Sequence, residues 1–435
     1  MQVIRPVSFF IEGSKIMSDE IKTNQISHGW QVTFAGMGIN LALGILYTWS
    51  VISKGIPESW GWNESDKSWP YSVACLVFCL IMVPAGRMQD KLSPKLVATI
   101  GGILVGVGFI VASFTTSLVG FILAFGVLAG AGIGCGYASA TPPSVKWFPP
   151  AKTGMIAGIV VSGFGLASVY AAPLAKWLMG NYEFSTMLLT LGIAFLVVVV
   201  GLAQLLKAPP AGYIPAGYTP PAAAAAGAKK EDFLPKEMLK TVQFYMLWFM
   251  YACGAGAGLM IIGKLAAIAG QEKIGISLGF VLVAVLAVGN GGGRIVAGIM
   301  SDKIGRKLTM FICFVSQAIF IFMLSKANKD NFLGTVPAMA LISALIGANY
   351  GANLALFPSI TKDYFGAKNF GMNYGLVFTS WGIGGFMLAK LAGAMYVKYE
   401  TFDVAYYGAS GLLIAAAIMV FFVKPPHHII EDEAK

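Results

Sequence analysis

Charge is what this chain has least of. Only 20 Asp and Glu and 30 Lys and Arg occur among 435 residues, 11% of the sequence, where an ordinary soluble domain carries about a quarter. That scarcity, with 57% hydrophobic residues, excludes a soluble globule and leaves a chain dissolved in a bilayer. Histidine is scarcer still: His28, His427 and His428 are the three, and none falls in the middle of an apolar run. The five cysteines, Cys75, Cys79, Cys135, Cys253 and Cys313, do fall inside such runs. No His or further Cys joins Cys75 and Cys79 to complete a tetrahedral set, so neither a metal site nor a disulfide is expected. Every Asp and Glu falls in a loop, a tail or a helix end, so the interior offers no acid to carry a proton and no residues for acid–base or covalent catalysis. The glycines of Gly130-Ala-Gly-Ile-Gly-Cys-Gly136 lie in an apolar helix with no strand before them, where helix packing explains them better than a nucleotide loop. Neither an enzyme nor a cofactor is expected.

What the chain has in abundance is long apolar runs. A spanning helix needs about 20 mostly apolar residues, and twelve segments qualify, near 30–53, 69–86, 95–113, 118–141, 153–178, 184–206, 241–268, 274–299, 307–326, 333–359, 368–394 and 402–423. Six lie on each side of residues 207–240, whose Pro and Ala runs and Lys229, Lys230, Glu231 and Asp232 read as a flexible polar linker. The expected architecture is an all-α membrane protein. Its parts are a tail 1–28, a six-helix half 29–206, the linker 207–240, a second six-helix half 241–424 and a tail 425–435. The net charge of +10 follows topology rather than nucleic acid: 20 of the Lys and Arg fall on the termini and even-numbered loops, 9 on odd-numbered loops, and Arg294 alone within a helix. Both termini and the linker are therefore expected on the cytoplasmic side of the cell membrane. Residues 1–28 lack the order of a cleavable signal, so the first helix is expected to stay as an anchor.

The ten residues Gly298-Ile-Met-Ser-Asp-Lys-Ile-Gly-Arg-Lys307 recur, weakened, as Gly86-Arg-Met-Gln-Asp-Lys-Leu-Ser-Pro-Lys95, 212 positions earlier. Each copy is a short polar loop between apolar runs, and a parallel repeat of helix bundles is a transporter architecture. Asp90 and Asp302 in these loops are expected to pair with Lys or Arg, with Lys91, Arg306 and Lys307 as candidates, closing one side while the other is open. Such pairs are individually weak, but biasing two nearly balanced states takes only a few kcal/mol.

Arg294 lies about 12 Å below the Asp302 loop at 1.5 Å per residue. A helix-centre Arg costs roughly 2.5–3.5 kcal/mol on insertion scales, which calls for a substrate or gating role, the alternative being an Arg that snorkels to the interface. The repeat puts Met82 at the matching position, so the fold itself needs no cation there. A guanidinium matches a carboxylate, and the substrate is expected to be a small organic anion. Asn290, one turn away on the same face, can donate to that substrate or orient the Arg.

Further echoes, Gly136-Tyr137 with Asn349-Tyr350 and Pro150-Ala-Lys-Thr-Gly-Met155 with Gly366-Ala-Lys-Asn-Phe-Gly-Met372, make Tyr137 and Tyr350 repeat partners. A Tyr facing lipid would strand its hydroxyl, so both are expected in a central cavity, against the alternative of an interfacial belt. Tyr374, Phe378 and Trp381 form one helical stripe, for packing or for a ligand, and Asn40 and Tyr47 are weaker cavity candidates.

These motifs resemble a family. The loop Gly298-x-x-Ser-Asp-Lys-x-Gly-Arg-Lys307 is similar to the signature between helices two and three, and eight and nine, of the major facilitator superfamily. Within it, Tyr47-Thr-Trp-Ser-Val51, Lys146-Trp-Phe-Pro149, Gly163-Phe-Gly165, Asn353-Leu-Ala-Leu-Phe-Pro358 and Asn373-Tyr-Gly-Leu-Val-Phe-Thr-Ser-Trp-Gly382 resemble the oxalate/formate antiporter and monocarboxylate transporter branch. His28-Gly29-Trp30 is similar to the start of helix one in the monocarboxylate transporters. The resemblance implies a helix-eight Arg that binds the substrate carboxylate, here Arg294. It also marks two departures: animal monocarboxylate transporters have an acid where Asn290 stands, and oxalate-specific members have a Lys where Trp381 stands. One cation facing one carboxylate implies lactate, pyruvate or a similar short monocarboxylate, carried with a proton that travels on the substrate, on a Tyr–Arg–water network or through His28. The rival readings are anion exchange and a carboxylate-binding membrane sensor. A monomer in the lipid bilayer is expected.

Overall fold

The computed structural model describes residues 28–210, 212–215, 218, 232–269 and 279–426; the expected tails and most of the linker lie outside them. Among the described residues, twelve helices are long and apolar enough to cross a membrane. They are α1 (His28–Gly55), α2 (Asp66–Lys91), α3 (Pro94–Ala112), α4 (Leu118–Lys146), α5 (Pro150–Asn181), α6 (Phe184–Ala203), α7 (Val242–Ile262), α8 (Val281–Ile304), α9 (Arg306–Ser325), α10 (Val336–Phe365), α11 (Phe370–Tyr396) and α12 (Asp403–Phe422). Backbone polar groups in hydrocarbon must find partners within their own segment, and a helix provides them. Polar residues mark the ends. Asn63 and Asp66 exchange side-chain and backbone hydrogen bonds (2.9 and 3.0 Å) at the start of α2, a capping box, and Ser93 with Pro94 opens α3. Gly305 and Gly366, at φ +91° and +82°, reverse the chain after α8 and α10, where residues with a Cβ would be strained.

The helices pack as two copies of one plan. In the first half α1 lies on α5, α2 on α4 and α3 on α6; in the second α7 lies on α11, α8 on α10 and α9 on α12. The halves meet where α2 lies on α11 and α8 on α5, each the repeat image of the other. Small residues set these crossings, as they do where helices associate without a hydrophobic drive. A Cβ at Gly86 would run into the Gly371 carbonyl, and one at Gly298 into that of Gly154; one at Gly158 would strike the Arg294 carbonyl, and one at Gly375 that of Met82.

Several helices outrun the apolar segments that announced them. α10, expected to end at residue 359, continues to Phe365 and takes Lys362 and Asp363 with it. Arg294 is therefore not the sole cation inside a helix: Lys362 is buried, and its Nζ donates to Val145 O and Thr153 Oγ1, both at 3.1 Å, in the other half. Hydropathy registers only the apolar middle of a span, whereas the helix runs on for as long as its charged side chains find partners. In the middle of α1 the residues Gly44–Thr48 tighten into a 3₁₀ turn, the kind of local distortion that marks working segments, and this turn carries Tyr47.

If the glycine crossings hold the halves together, Gly86→Ala should lower the thermal stability of the purified protein by about 1–3 kcal/mol. Gly180→Ala, a helical site with nothing within 4 Å of the new Cβ, should not. Equal stability of the two variants would remove close approach as the reason for Gly86.

Candidate functional site

Arg294 is completely buried between the halves. Its Nε donates to Asn290 Oδ1 one turn away (3.0 Å), and its Nη1 donates to the Val161 carbonyl of α5 (2.6 Å). Its Nη2 has no hydrogen-bond partner among the described residues. Asn290 thus orients the Arg. The guanidinium is fixed at two of its nitrogens by neutral oxygens. Gly165 of α5 packs about its Nε and against Gly291, so α5 approaches closely enough for the Val161 carbonyl to accept.

Around this cation stands an aromatic box drawn from both halves. Tyr47 of α1 and Tyr350 of α10 join hydroxyl to hydroxyl at 2.6 Å, and Trp381 Nε1 donates to the Tyr350 hydroxyl at 2.9 Å. Phe378 stacks on Trp381 (5.3 Å between centroids) and has Tyr137, Tyr374 and Tyr251 about it at 5.3, 5.7 and 6.1 Å. Phe78 and Phe164 close the first-half side, 5.4 Å from Tyr137. The hydroxyls of Tyr137, Tyr251 and Tyr374 are buried and gather together, Tyr374 within hydrogen-bonding reach of the other two, and buried hydroxyls are expensive unless something answers them. Tyr47, Tyr137, Tyr251 and Tyr350 all lie within electrostatic reach of Arg294. Enclosure, one cation and several neutral hydroxyls can hold one small anion with a further polar group. Asn40 is also buried. Its Nδ2 donates to Val160 O (2.9 Å), tying α1 to α5.

On the side of the linker, Asp90 and Asp302 take backbone amides as partners in addition to cations. Asp302 accepts from the Gly154 and Met155 amides (2.9 and 2.7 Å) at the start of α5. Asp90 accepts from the Gly371 and Met372 amides (3.1 and 3.0 Å) at the start of α11. Each carboxylate therefore caps the positive end of a helix in the other half, where helix dipole and charge-assisted bonds add. Of the candidate cations, Arg306 does reach Asp302 (2.6 Å) and also binds Asp363 (2.9 Å). Lys307 instead donates to Phe421 O (3.2 Å). Lys91 is exposed at the end of α2, and the cation beside Asp90 is Lys146 (3.8 Å).

A family model described as Major Facilitator Superfamily matches residues 32–324 and 276–435. The chain belongs to this superfamily. It is 26% identical over 345 residues to the oxalate:formate antiporter of Oxalobacter formigenes, covering 78% of this chain and 77% of that one. It is 24% identical over 406 residues to monocarboxylate transporter 11 of Homo sapiens, covering 91% and 83%. Among solved structures, a double Trp mutant of XylE superposes with a TM-score of 0.71 at 11% identity, over 94% of this chain and 97% of that one, a likeness of fold. The protein is a secondary transporter and a multi-pass membrane protein, not an enzyme. The transporter's box contains three residues that sequence reasoning passed over, Phe78, Phe164 and Tyr251. Signals for them existed: Phe78 is the repeat image of Asn290, Phe164 that of Trp381, and the stranded-hydroxyl argument made for Tyr137 applies equally to Tyr251.

A double-mutant cycle of Asp302→Asn and Arg306→Gln, read by unfolding of the transporter in detergent, should give a coupling of about 1–2 kcal/mol, because the pair is largely buried and shares its carboxylate with two amides. A coupling near zero would class it with inert surface pairs.

Proposed function

We propose that this transporter carries a small monocarboxylate, L-lactate or pyruvate being the best match, bound at Arg294. The observation that carries the reading is the buried guanidinium amid aromatic side chains, its Nη2 without a hydrogen-bond partner and no second cation beside it among the described residues. A carboxylate on the Nη edge meets paired donors, and the hydroxyls of Tyr137, Tyr251 and Tyr374 stand ready for a 2-hydroxy or 2-oxo group. A second carboxylate would find no such charge, since Trp381 fills that part of the wall. The relatives named for monocarboxylates and for oxalate and formate support the class of substrate.

The linker side is the cytoplasmic side in this reading, in keeping with its excess of Lys and Arg, and Asp90 and Asp302 form its gate. Release of both caps opens it as the halves rock about the site, giving alternating access. Proton symport is the proposed drive, since moving the anion alone against a negative interior costs roughly 2.3 kcal/mol per 100 mV. His28 lies at the linker-side tip of α1 against Trp147, remote from Arg294, so a proton travelling on the substrate or on the Tyr–Arg network is the shorter route. Exchange of one carboxylate for another is the second reading, favoured by the acid-free interior and by the antiporter among the relatives.

Uptake of labelled L-lactate into proteoliposomes, with an inward proton gradient and a clamped potential, separates the two. Accumulation above equilibrium that a protonophore abolishes is the symport result; uptake that appears only with carboxylate preloaded inside is exchange. In either mode Arg294→Lys should lower uptake on the order of tenfold or more, and near-normal uptake would remove Arg294 from the site. Tyr137→Phe should weaken lactate by roughly fivefold, the worth of one net hydrogen bond, and leave acetate nearly unchanged; equal losses for the two acids would exclude a hydroxyl contact.

A further inference from the structure

The end of the linker is built into the turn between α10 and α11. Phe233 is almost wholly buried. Its amide donates to the Phe365 carbonyl (3.1 Å), and its ring meets that of Phe365 edge-on at 5.6 Å. Its carbonyl accepts from Asn369 Nδ2 (3.2 Å) and Asn373 Nδ2 (3.1 Å). Beside it, Asp232 Oδ1 accepts from the Lys368 amide (3.0 Å). A segment that merely spans the distance between halves has no need to bury an aromatic ring or to engage two amide side chains, because ordering it costs conformational entropy.

Asn369 is the point where this anchorage meets the closure. While its Nδ2 holds the linker carbonyl, its Oδ1 accepts from Arg87 Nη1 of α2, in the other half, at 3.2 Å. Two residues further on, Gly371 and Met372 offer their amides to Asp90. One side chain thus joins linker, turn and opposite half at the base of the capped helix.

We propose that Phe233 and Asn369 are positioning residues for the linker-side closure: the seated end of the linker fixes the α10–α11 turn so that the first turn of α11 presents its amides to Asp90. They touch no substrate and act through the cap. Because the two caps lie at repeat-related crossings of the same pair of rigid halves, loosening the one on α11 releases the one on α5 as well, although neither residue touches α5. The role is independent of which anion Arg294 binds.

Amide hydrogen exchange read by mass spectrometry on the purified full-length transporter, without substrate, tests this. Phe233→Ala and Asn369→Ala should speed exchange in the first turn of α11 and, to a similar degree, in the first turn of α5, by about fivefold, the change expected from losing one net hydrogen bond. Asn369→Asp keeps an acceptor for Arg87 but loses the donor to the Phe233 carbonyl, and should shift both segments in the same direction. Faster exchange confined to the α10–α11 turn would reduce these residues to local packing and overturn the proposal. So would wild-type exchange in Asn369→Asp, which would remove the linker from the device. Should Phe233→Ala fail to fold, the two Asn369 variants and Phe233→Leu, expected to behave as wild type, carry the same decision.

Discussion

Two carboxylates hold the linker side of this molecule together, and each does so by receiving backbone amides from the half to which it does not belong. Asp90 binds the start of α11 and Asp302 the start of α5. An anion at a helix N-terminus is worth about 0.3–1 kcal/mol when exposed and up to about 2 kcal/mol when partly buried, so two caps supply a few kcal/mol. That is the scale on which two conformations can be held near balance. The surrounding design follows from this need. Gly86 and Gly298 lack side chains so that the crossing helices approach within reach, and Lys146 and Arg306 stand beside the carboxylates.

The symmetry of that frame makes the asymmetry of the centre informative. The carbonyl under Gly158 belongs to Arg294, and the carbonyl under Gly375 belongs to Met82; the backbone solves the same packing problem twice. At the second-half copy a cation has been added, with Asn290 to orient it where the first half has Phe78. Chemistry has thus been placed on one side of a scaffold whose mechanics require both sides, as expected when function is grafted on a fold rather than implied by it.

Much of this was legible in the chain, for physical reasons. Twelve helices could be read because each must be apolar over roughly the thickness of the bilayer, and Arg294 stood out because a lone charge there is costly. Tyr137 and Tyr350 followed from the price of stranding a hydroxyl. The pairing of Asp302 with Arg306 was legible, whereas the amides that Asp90 and Asp302 also bind were missed, because a backbone amide leaves no mark in a sequence. Only the echo of Gly154-Met155 in Gly371-Met372 hinted that those positions share a task. Lys362 escaped notice since hydropathy ends before its helix does. Asn40 binds a carbonyl of α5 through Nδ2, a contact that depends on how closely two helices approach and that residue type alone does not announce.

On the proposed reading the guanidinium itself links binding to closure. Through Nη1 and Val161 it is a contact between halves, while Nη2 has no partner among the described residues, so on the proposed reading an anion that takes Nη2 neutralises the charge without breaking the bond across the interface. Burying an uncompensated cation costs on the order of several kcal/mol, and the neutral oxygens of Asn290 and Val161 offset only part of it. On that reading the loaded site closes more easily than the empty one. Return of the empty carrier is then the step that the protein must make affordable if it is to perform net uptake, and it can do so only if something other than substrate answers Nη2. With the acids confined to helix ends, the tyrosine hydroxyls of the box are the groups near enough to turn toward it. The ratio of exchange to net flux in this transporter is thus a direct reading of how well a ring of neutral hydroxyls can stand in for a carboxylate.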